Sequence, residues 1–375
     1  MPKGRRFLIS SAGALAGVAA GRVLIRRVRG QPPVVSDDFL GSVRGTPTSV
    51  RGPLGSRIYA ETFEPAAGKA RSNGNGTAVP RGSLVFTHGW CVSEAIWHYQ
   101  KEALGTGPGA LSMVTWDLPG HGHSSSLPPG KLTLERGIES LARVIDQTTD
   151  GPVVLVGHSL GGVLSLGYLL ANPDTAKRKV RGLVLAATPL VHLARAAAGR
   201  WPGSTLEARL VGQVMQLGVQ NSVVDRWFTR EVGSNDPNAM SHRLIRVGFG
   251  PTPSPAHIRF VRDMAAAVPP SVRADTFRAM SGFDHRPRLG EVTVPVVLAI
   301  GGRDRLVSAA ESIDLAPAFP KAEVEEFPDA GHALFLEQHA RFNEVVRRFA
   351  ARRLRADHRA RAVPPRRAAA ARSRA

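Results

Sequence analysis

Five short runs of branched apolar residues recur along the chain: SLVFTHG (83–89), LSMVTWD (111–117), PVVLVG (152–157), VRGLVLAA (180–187) and VPVVLAIGG (294–302). Each is nearly continuous rather than alternating, and several end in glycine. Runs of this kind predict strands buried on both faces, as in a parallel sheet. SRIYAETF (56–63) alternates apolar with polar residues and predicts a strand with one solvated face, and AEVEEF (322–327) is strand-like as well. Helical patterns over 134–147 and 160–172 fall between the strands, giving an α/β architecture with helices on both faces of a mostly parallel sheet.

That rhythm stops between residues 191 and 285. STLEARLVGQVMQLGVQ, VDRWF and HIRFVRDMAAAV are helical pieces without a buried-strand signature, so this stretch predicts a helical insertion. Residues 31–47, rich in Pro, Gly and Ser, read as a linker, and EPAAGKARSNGNGTAVPRG (64–82) as a surface loop. The expected organisation is a signal-like or membrane-anchoring segment at 1–30 and the linker at 31–47. An α/β core follows at 48–190 and 286–353, with the insertion at 191–285 and a basic, disordered tail at 354–375. No internal repeat is evident.

Composition changes this picture at the two ends only. The formal net charge is +19, yet residues 1–30 carry about +7 and residues 347–375 about +10, which leaves about +2 for the whole body. A nucleic-acid-binding fold carries its basic footprint on the folded body, so nucleic acid is not the expected ligand. The basic ends suit solvent or an anionic membrane surface. GRRFLIS followed by FLISSAGALAGVAAG resembles a twin-arginine export signal, but the A-x-A at Ala14–Ala16 lies inside the apolar run and a second basic cluster, GRVLIRRVRG, follows. Export or membrane association is expected, with a cleaved signal, an uncleaved anchor and a plain basic leader in a cytoplasmic protein as the three readings. Cys91 is the single cysteine, which excludes an intrachain disulfide and a cysteine metal cluster. His121-x-His123 alone is no metal site, and no cofactor motif is present.

The chemistry sits in GHSLGG. Gly157, Ser159 and Gly161 satisfy G-x-S-x-G directly after an apolar strand and at the start of a helix. That context, rather than the short pattern, reads as a nucleophile elbow. A serine hydroxyl needs a base, expected on a later loop at the same sheet edge. His332 in FPDAGHALFLEQ fits; His121 and His123 precede the serine, and His192, His242, His257 and His285 lie in or beside the insertion. The imidazole needs a carboxylate to orient it. Asp304 in VPVVLAIGGRDRLVS is the expected acid, with Asp329 as rival, three residues before His332 on the same loop. Two backbone N–H groups should hold the oxyanion, one from Leu160 and one from Trp90 after the THGWC strand end. Trp90, Cys91 and His158 are candidate pocket residues. A thiol nucleophile at Cys91 is weighed against a small buried residue near the pocket, and no second histidine is dedicated to it.

At these residues the chain resembles the α/β-hydrolase fold superfamily, from about Ser49 to Arg353. The matching segments are HGW (88–90), DLPGHGHS (117–124), GHSLGG (157–162), GGRDRLV (301–307) and DAGH (329–332), in order. The resemblance implies a mostly parallel sheet of about eight strands, with residues 191–285 as a helical cap over the active site. Epoxide hydrolases and haloalkane dehalogenases of this superfamily carry Asp where this chain has Ser159. Cofactor-free haloperoxidases continue the HGW loop with Pro, where this chain has Cys91. The expectation is a serine hydrolase without cofactor or metal, acting on an ester of a moderately apolar acid through an acyl-enzyme. A perhydrolase, a carbon–carbon bond hydrolase and a catalytically silent binding protein at the membrane are the alternatives.

Overall fold

The computed structural model describes residues 39–65, 82–107, 109–190 and 245–361. The signal-like segment 1–30, residues 31–38 of the linker, residues 66–81 of the surface loop, residues 191–244 of the insertion and the last fourteen residues of the tail lie outside them.

Eight strands form one sheet: β1 (Thr46–Arg51), β2 (Arg57–Phe63), β3 (Ser83–Thr87), β4 (Ser112–Trp116), β5 (Val153–His158), β6 (Val180–Ala186), β7 (Val296–Gly301) and β8 (Ala322–Phe327). Their order is β1-β2-β4-β3-β5-β6-β7-β8. The β1–β2 and β2–β4 pairs are antiparallel and all others parallel. Side chains of the central strands alternate between two cores, as the period of two requires. Val153 and Leu155 of β5, Leu183 and Leu185 of β6, and Val296, Leu298 and Ile300 of β7 enter one core. Val154, Val156, Val184, Ala186, Val297 and Ala299 enter the other. Both faces are covered, which is why these strands are apolar throughout.

Helix α1 (Leu134–Thr148) is capped by Thr133, whose side chain accepts from Arg136 N–H, and buries Gly137, Leu141, Val144 and Ile145 on one stripe. Helix α2 (Leu160–Ala171) packs on β5 and beside α1, which itself covers β1 and β2, and is buried from Leu160 to Leu170. Helices α3 (Pro173–Lys179), α4 (Pro255–Ala267), α5 (Pro270–Ser281), α6 (Ala309–Leu315), α7 (Leu334–Glu337) and α8 (His339–Arg361) follow. Of the predicted helical pieces, HIRFVRDMAAAV falls in α4; the other two lie outside the described residues. The stems of the insertion meet where His285 N–H donates to the Leu190 carbonyl at 3.4 Å.

Three boundaries differ from expectation. Strand β1 begins at Thr46, inside the predicted linker, and Val50 is its one fully buried residue. Residues 41–45 are docked rather than free: Gly41 N–H donates to His98 Nδ1 and Gly45 N–H to Glu61 Oε2. At the other end α8 runs on to Arg361, because its buried face (Phe342, Val345, Val346, Phe349, Leu354) packs on the sheet.

Because β3, β5, β6, β7 and β8 are parallel, their carboxyl ends share one edge. Thr87 is in register with Gly157, His158 with Ala186, Ala186 with Ala299, and Gly301 with Phe327. The loops holding Trp90, Ser159, Asp304 and His332 leave from that edge.

Candidate active site

Ser159 stands between β5 and α2 with φ 51° and ψ −118°, a left-handed conformation rare for a residue with a side chain. The flanking glycines make the turn: a Cβ on Gly157 would lie 2.5 Å from Gly161 O and Gly162 Cα, and one on Gly161 would strike the Thr87 carbonyl. The tight strand-to-helix turn at Ser159 therefore has room for glycine alone at positions 157 and 161. Leu160 opens α2, so its N–H has no partner within the helix.

Asp304 follows β7. Its Oδ1 accepts from Leu306 and Val307 N–H at 2.8 and 2.9 Å, and its Oδ2 lies 2.8 Å from His332 Nδ1. Two backbone donors therefore aim the carboxylate before it meets the imidazole. Asp304, and not the rival Asp329, is the acid on His332. The His332 ring in turn packs on His158, with ring centroids 4.8 Å apart, and so stands beside the residue preceding Ser159.

The loop after β3 is oriented from below. His88 is fully buried, and burial, then the neighbouring His121, push its pKa down to about 3. The neutral ring accepts from Leu118 N–H at Nε2 (3.0 Å) and donates from Nδ1 to the Gly89 carbonyl (2.7 Å). In a planar trans peptide the carbonyl and the next N–H point opposite ways, so this bond turns Trp90 N–H away from His88. Gly89 also approaches the elbow: a Cβ there would lie 3.3 Å from Ser159 Cβ. The DLPGHGHS loop is built on Asp117, which accepts from Glu94 and His123 N–H at 2.8 Å each; burial, and then Glu94, raise its pKa to about 7.

The candidate pocket residues fare differently. The Trp90 indole donates to the Arg273 carbonyl at 3.3 Å and lies 5.9 Å from the Phe277 ring, tying the loop to α5. Cys91 is buried against Ala265 of α4 at φ 58°, and burial pushes its thiol well above the usual range, so it stays protonated and inert. His158 is packed in the interior behind the Ser159 turn. Its ring is enclosed by Trp97, Phe335 and His332, and its Nε2 donates to the His332 carbonyl at 3.2 Å. A shallow apolar crevice, with room for little more than a water molecule, reaches Leu160 and is lined by Leu118, Leu132, Leu134, Leu164 and Ala279.

Glu337 was not singled out from the sequence. It lies in an apolar stretch, ALFLE, whose other members are all buried, and an acid in such a stretch is the signal that could have found it. Among the described residues no group of His, Cys, Asp or Glu could hold a metal ion, and no helix is long and apolar enough to cross a membrane.

The strand–elbow–helix unit and the loop order around it are those of one fold family, and a family model confirms it: residues 84–345 match the alpha/beta hydrolase family. The chain belongs to that family. Its curated relatives include a pimeloyl-[acyl-carrier protein] methyl ester esterase of Photobacterium profundum, 25% identical over 270 residues that cover 71% of this chain and 93% of the relative. Another of the same name from Aromatoleum aromaticum is 29% identical over 260 residues, 68% of this chain and 93% of the relative. Among solved structures, an esterase from Exiguobacterium antarcticum aligns with a TM-score of 0.62 at 19% identity, over 81% of this chain and 99% of its own. A bromoperoxidase from Bacillus anthracis aligns at 0.59 and 21%, over 81% and 99%. At those identities the structural likeness speaks for the fold alone.

Proposed function

We propose that the chain is a serine hydrolase of carboxylic esters in which Ser159 is the nucleophile, His332 the base and Asp304 the group that orients it. The observation carrying this reading is the 2.8 Å contact of His332 Nδ1 with an Asp304 carboxylate already held by two backbone donors, on a ring packed beside the Ser159 elbow. Asp304 accepts a hydrogen bond from Nδ1–H, which fixes the tautomer whose Nε2 lone pair takes the Ser159 proton as Oγ attacks the acyl carbonyl; the imidazolium formed is stabilised by the Asp304 carboxylate. The Leu160 and Trp90 N–H groups stabilise the tetrahedral oxyanion. His332 returns the proton to the departing alcohol, leaving an acyl-enzyme. Water, activated by the same imidazole, attacks it and releases the acid and the free serine.

The apolar character of the insertion's sequence supports a moderately apolar acyl group. The relatives' names add the methyl ester of an acyl chain on a carrier protein as a substrate to test. Helices α4 and α5, held to the loops at Trp90 and Cys91, support the reading of 191–285 as a cap over the site. The basic, signal-like N-terminal segment supports export or residence at an anionic membrane surface; full-length protein and a version lacking residues 1–30 with the same soluble distribution on fractionation would remove that reading.

The test of the activity is a rate series over p-nitrophenyl esters of increasing acyl length, with Ser159→Ala as control and a fluorophosphonate probe on the native enzyme. Serine-dependent hydrolysis that varies with chain length, and a probe adduct on Ser159, are expected. Flat rates that persist in the Ala variant would refute the assignment.

A further inference from the structure

Glu337 closes α7 with its side chain half-buried behind the loop that carries His332. Its two oxygens go to different parts of the chain. Oε1 accepts from Gly331 N–H, the residue before His332, at 2.8 Å; Oε2 accepts from Gly250 N–H, on the segment returning from the insertion, at 2.7 Å. The two segments are pressed together around this carboxylate. A Cβ on Gly331 would lie 2.5 Å from Phe249 C and 2.6 Å from Gly250 N, and one on Gly250 would strike the Asp329 carbonyl. Ala333 N–H, just past His332, donates to the Gly248 carbonyl at 3.1 Å. On both sides of the base, therefore, the backbone is fastened to residues 248–250.

A carboxylate with an N–H facing each oxygen fits this seat only when ionised. A proton on either oxygen would replace an acceptor with a donor aimed at another donor. The surroundings oppose ionisation: burial, and the charge of Asp304 across the loop after β7, outweigh the help of the two N–H groups and of Arg246, and raise the pKa to about 7. Arg246 is itself committed to the Gly250 and Pro251 carbonyls and feels Arg305 beside it. Asp329 and His332 complete the charged and titratable groups on Glu337's own loop.

We propose that Glu337 is a positioning residue for His332: its ionised carboxylate grips Gly331 with one oxygen and Gly250 with the other, locking the loop of the base to the stem of the insertion so that the imidazole stays aimed at Ser159. This rests on the assignment of Ser159 and His332 above. It also makes the insertion stem part of the machinery that holds the base.

The experiment measures p-nitrophenyl butyrate hydrolysis by the full chain, Glu337→Gln and Glu337→Asp across pH, with thermal unfolding of each. Glu337→Gln turns one acceptor into an NH2 facing an N–H, and should lower kcat by about 30-fold with KM within about 3-fold, the size a small misplacement of a catalytic group produces. Glu337→Asp keeps the charge and should recover part of that loss. In the wild type two deprotonations should be needed for activity, so log kcat/KM should fall with a limiting slope of two at the acid end. In Glu337→Gln the slope should be one. A wild-type slope of one, or a Gln variant within about 2-fold of wild type, would overturn the proposal, and the wild-type slope decides alone if the variants do not fold. Absence of Ser159-dependent turnover and of fluorophosphonate labelling in the wild type would instead bring down the hydrolase reading, and this proposal with it.

Discussion

His158 Nε2 donates to the main-chain carbonyl of His332 at 3.2 Å. The residue before the nucleophile thus holds the backbone of the residue read as the base. A carbonyl can only accept, so the proton sits on Nε2 and Nδ1 carries a lone pair, which has no partner among the described residues. Burial, and then His332, push the pKa of His158 well below the usual histidine value, so the ring stays neutral and the bond persists to low pH.

Substitutions at His158 should therefore separate by where they place a donor. Glutamine can set its amide nitrogen near the position of Nε2 and should retain kcat within about 5-fold. Leucine leaves the His332 carbonyl buried without a donor, at a cost of about 1–3 kcal/mol in the local structure, and should lower kcat by at least 10-fold. Steady-state rates on p-nitrophenyl butyrate check this, and equal rates for the two variants would sink it.

The two candidate acids make opposite predictions. Asp304→Asn replaces the acceptor on His332 Nδ1 and should lower kcat by about 10⁴, as expected when the imidazole is held in the wrong tautomer. Asp329→Asn should leave kcat within about 3-fold, because Asp329 does not touch the ring. Comparable losses in the two variants would reassign the acid.

Beneath the sheet edge, Lys101 Nζ donates to Glu61 Oε2 at 2.7 Å and to Glu94, while Arg44 reaches Glu94 Oε1 at 3.0 Å. Burial by itself would raise the Glu61 pKa, but the hydrogen bond and charge of Lys101 outweigh it and hold the carboxyl below the usual range. A folded-state pKa below the unfolded one gives stability that is present at neutral pH and lost as pH falls through the folded value. Lys101→Met should cost about 3 kcal/mol at pH 8, because it leaves two buried carboxylates with only the half-exposed Arg44 as counter-charge. In the variant those carboxylates relax by taking up protons, so the deficit should shrink toward pH 4.5. Urea unfolding at the two pH values measures both effects, and a deficit independent of pH would contradict the argument.

His257 ties α4 to the core, with its Nε2 3.0 Å from the Tyr99 hydroxyl. Burial, then the nearby His339 and His98, lower its pKa to about 4. Between pH 6.5 and 4 the unfolded chain binds a proton here that the folded chain refuses, so this residue removes stability as pH falls. His257→Gln lacks that liability. Its stability relative to wild type should rise by about 1.4 kcal/mol for each pH unit of acidification across that window. Chemical unfolding at pH 7.5, 6 and 5 tests it; a constant difference would rule it out.

Five of the eight strands and the sheet type were legible because strands covered on both faces must be apolar throughout, β2 because its alternation survives, and β8 because AEVEEF still reads as strand-like. Strand β1 was not, since an edge strand with Val50 as its one fully buried residue carries no pattern to read. The adjoining stretch read as a linker from its Gly and Pro. It is docked because Gly45 and Arg44 reach buried carboxylates far along the chain, and composition does not encode such contacts. The bond from His158 to the His332 carbonyl was not legible, because sequence adjacency to Ser159 does not say which way a ring turns.

Sequence alone determined the strand–G-x-S-x-G–helix stretch around Ser159, the downstream candidates Asp304, Asp329 and His332, and the sheet that presents them. Those features depend on local rules: glycine where backbones touch, apolar runs where strands are buried, and short loops at strand ends. Only the tertiary structure decided between Asp304 and Asp329, turned the Gly89–Trp90 peptide through His88, made Cys91 an inert thiol and placed Glu337 between Gly331 and Gly250. Each of those outcomes depends on distance, direction and burial between residues remote in the chain, and these come into being only when the strands pair and their carboxyl ends are brought to one edge.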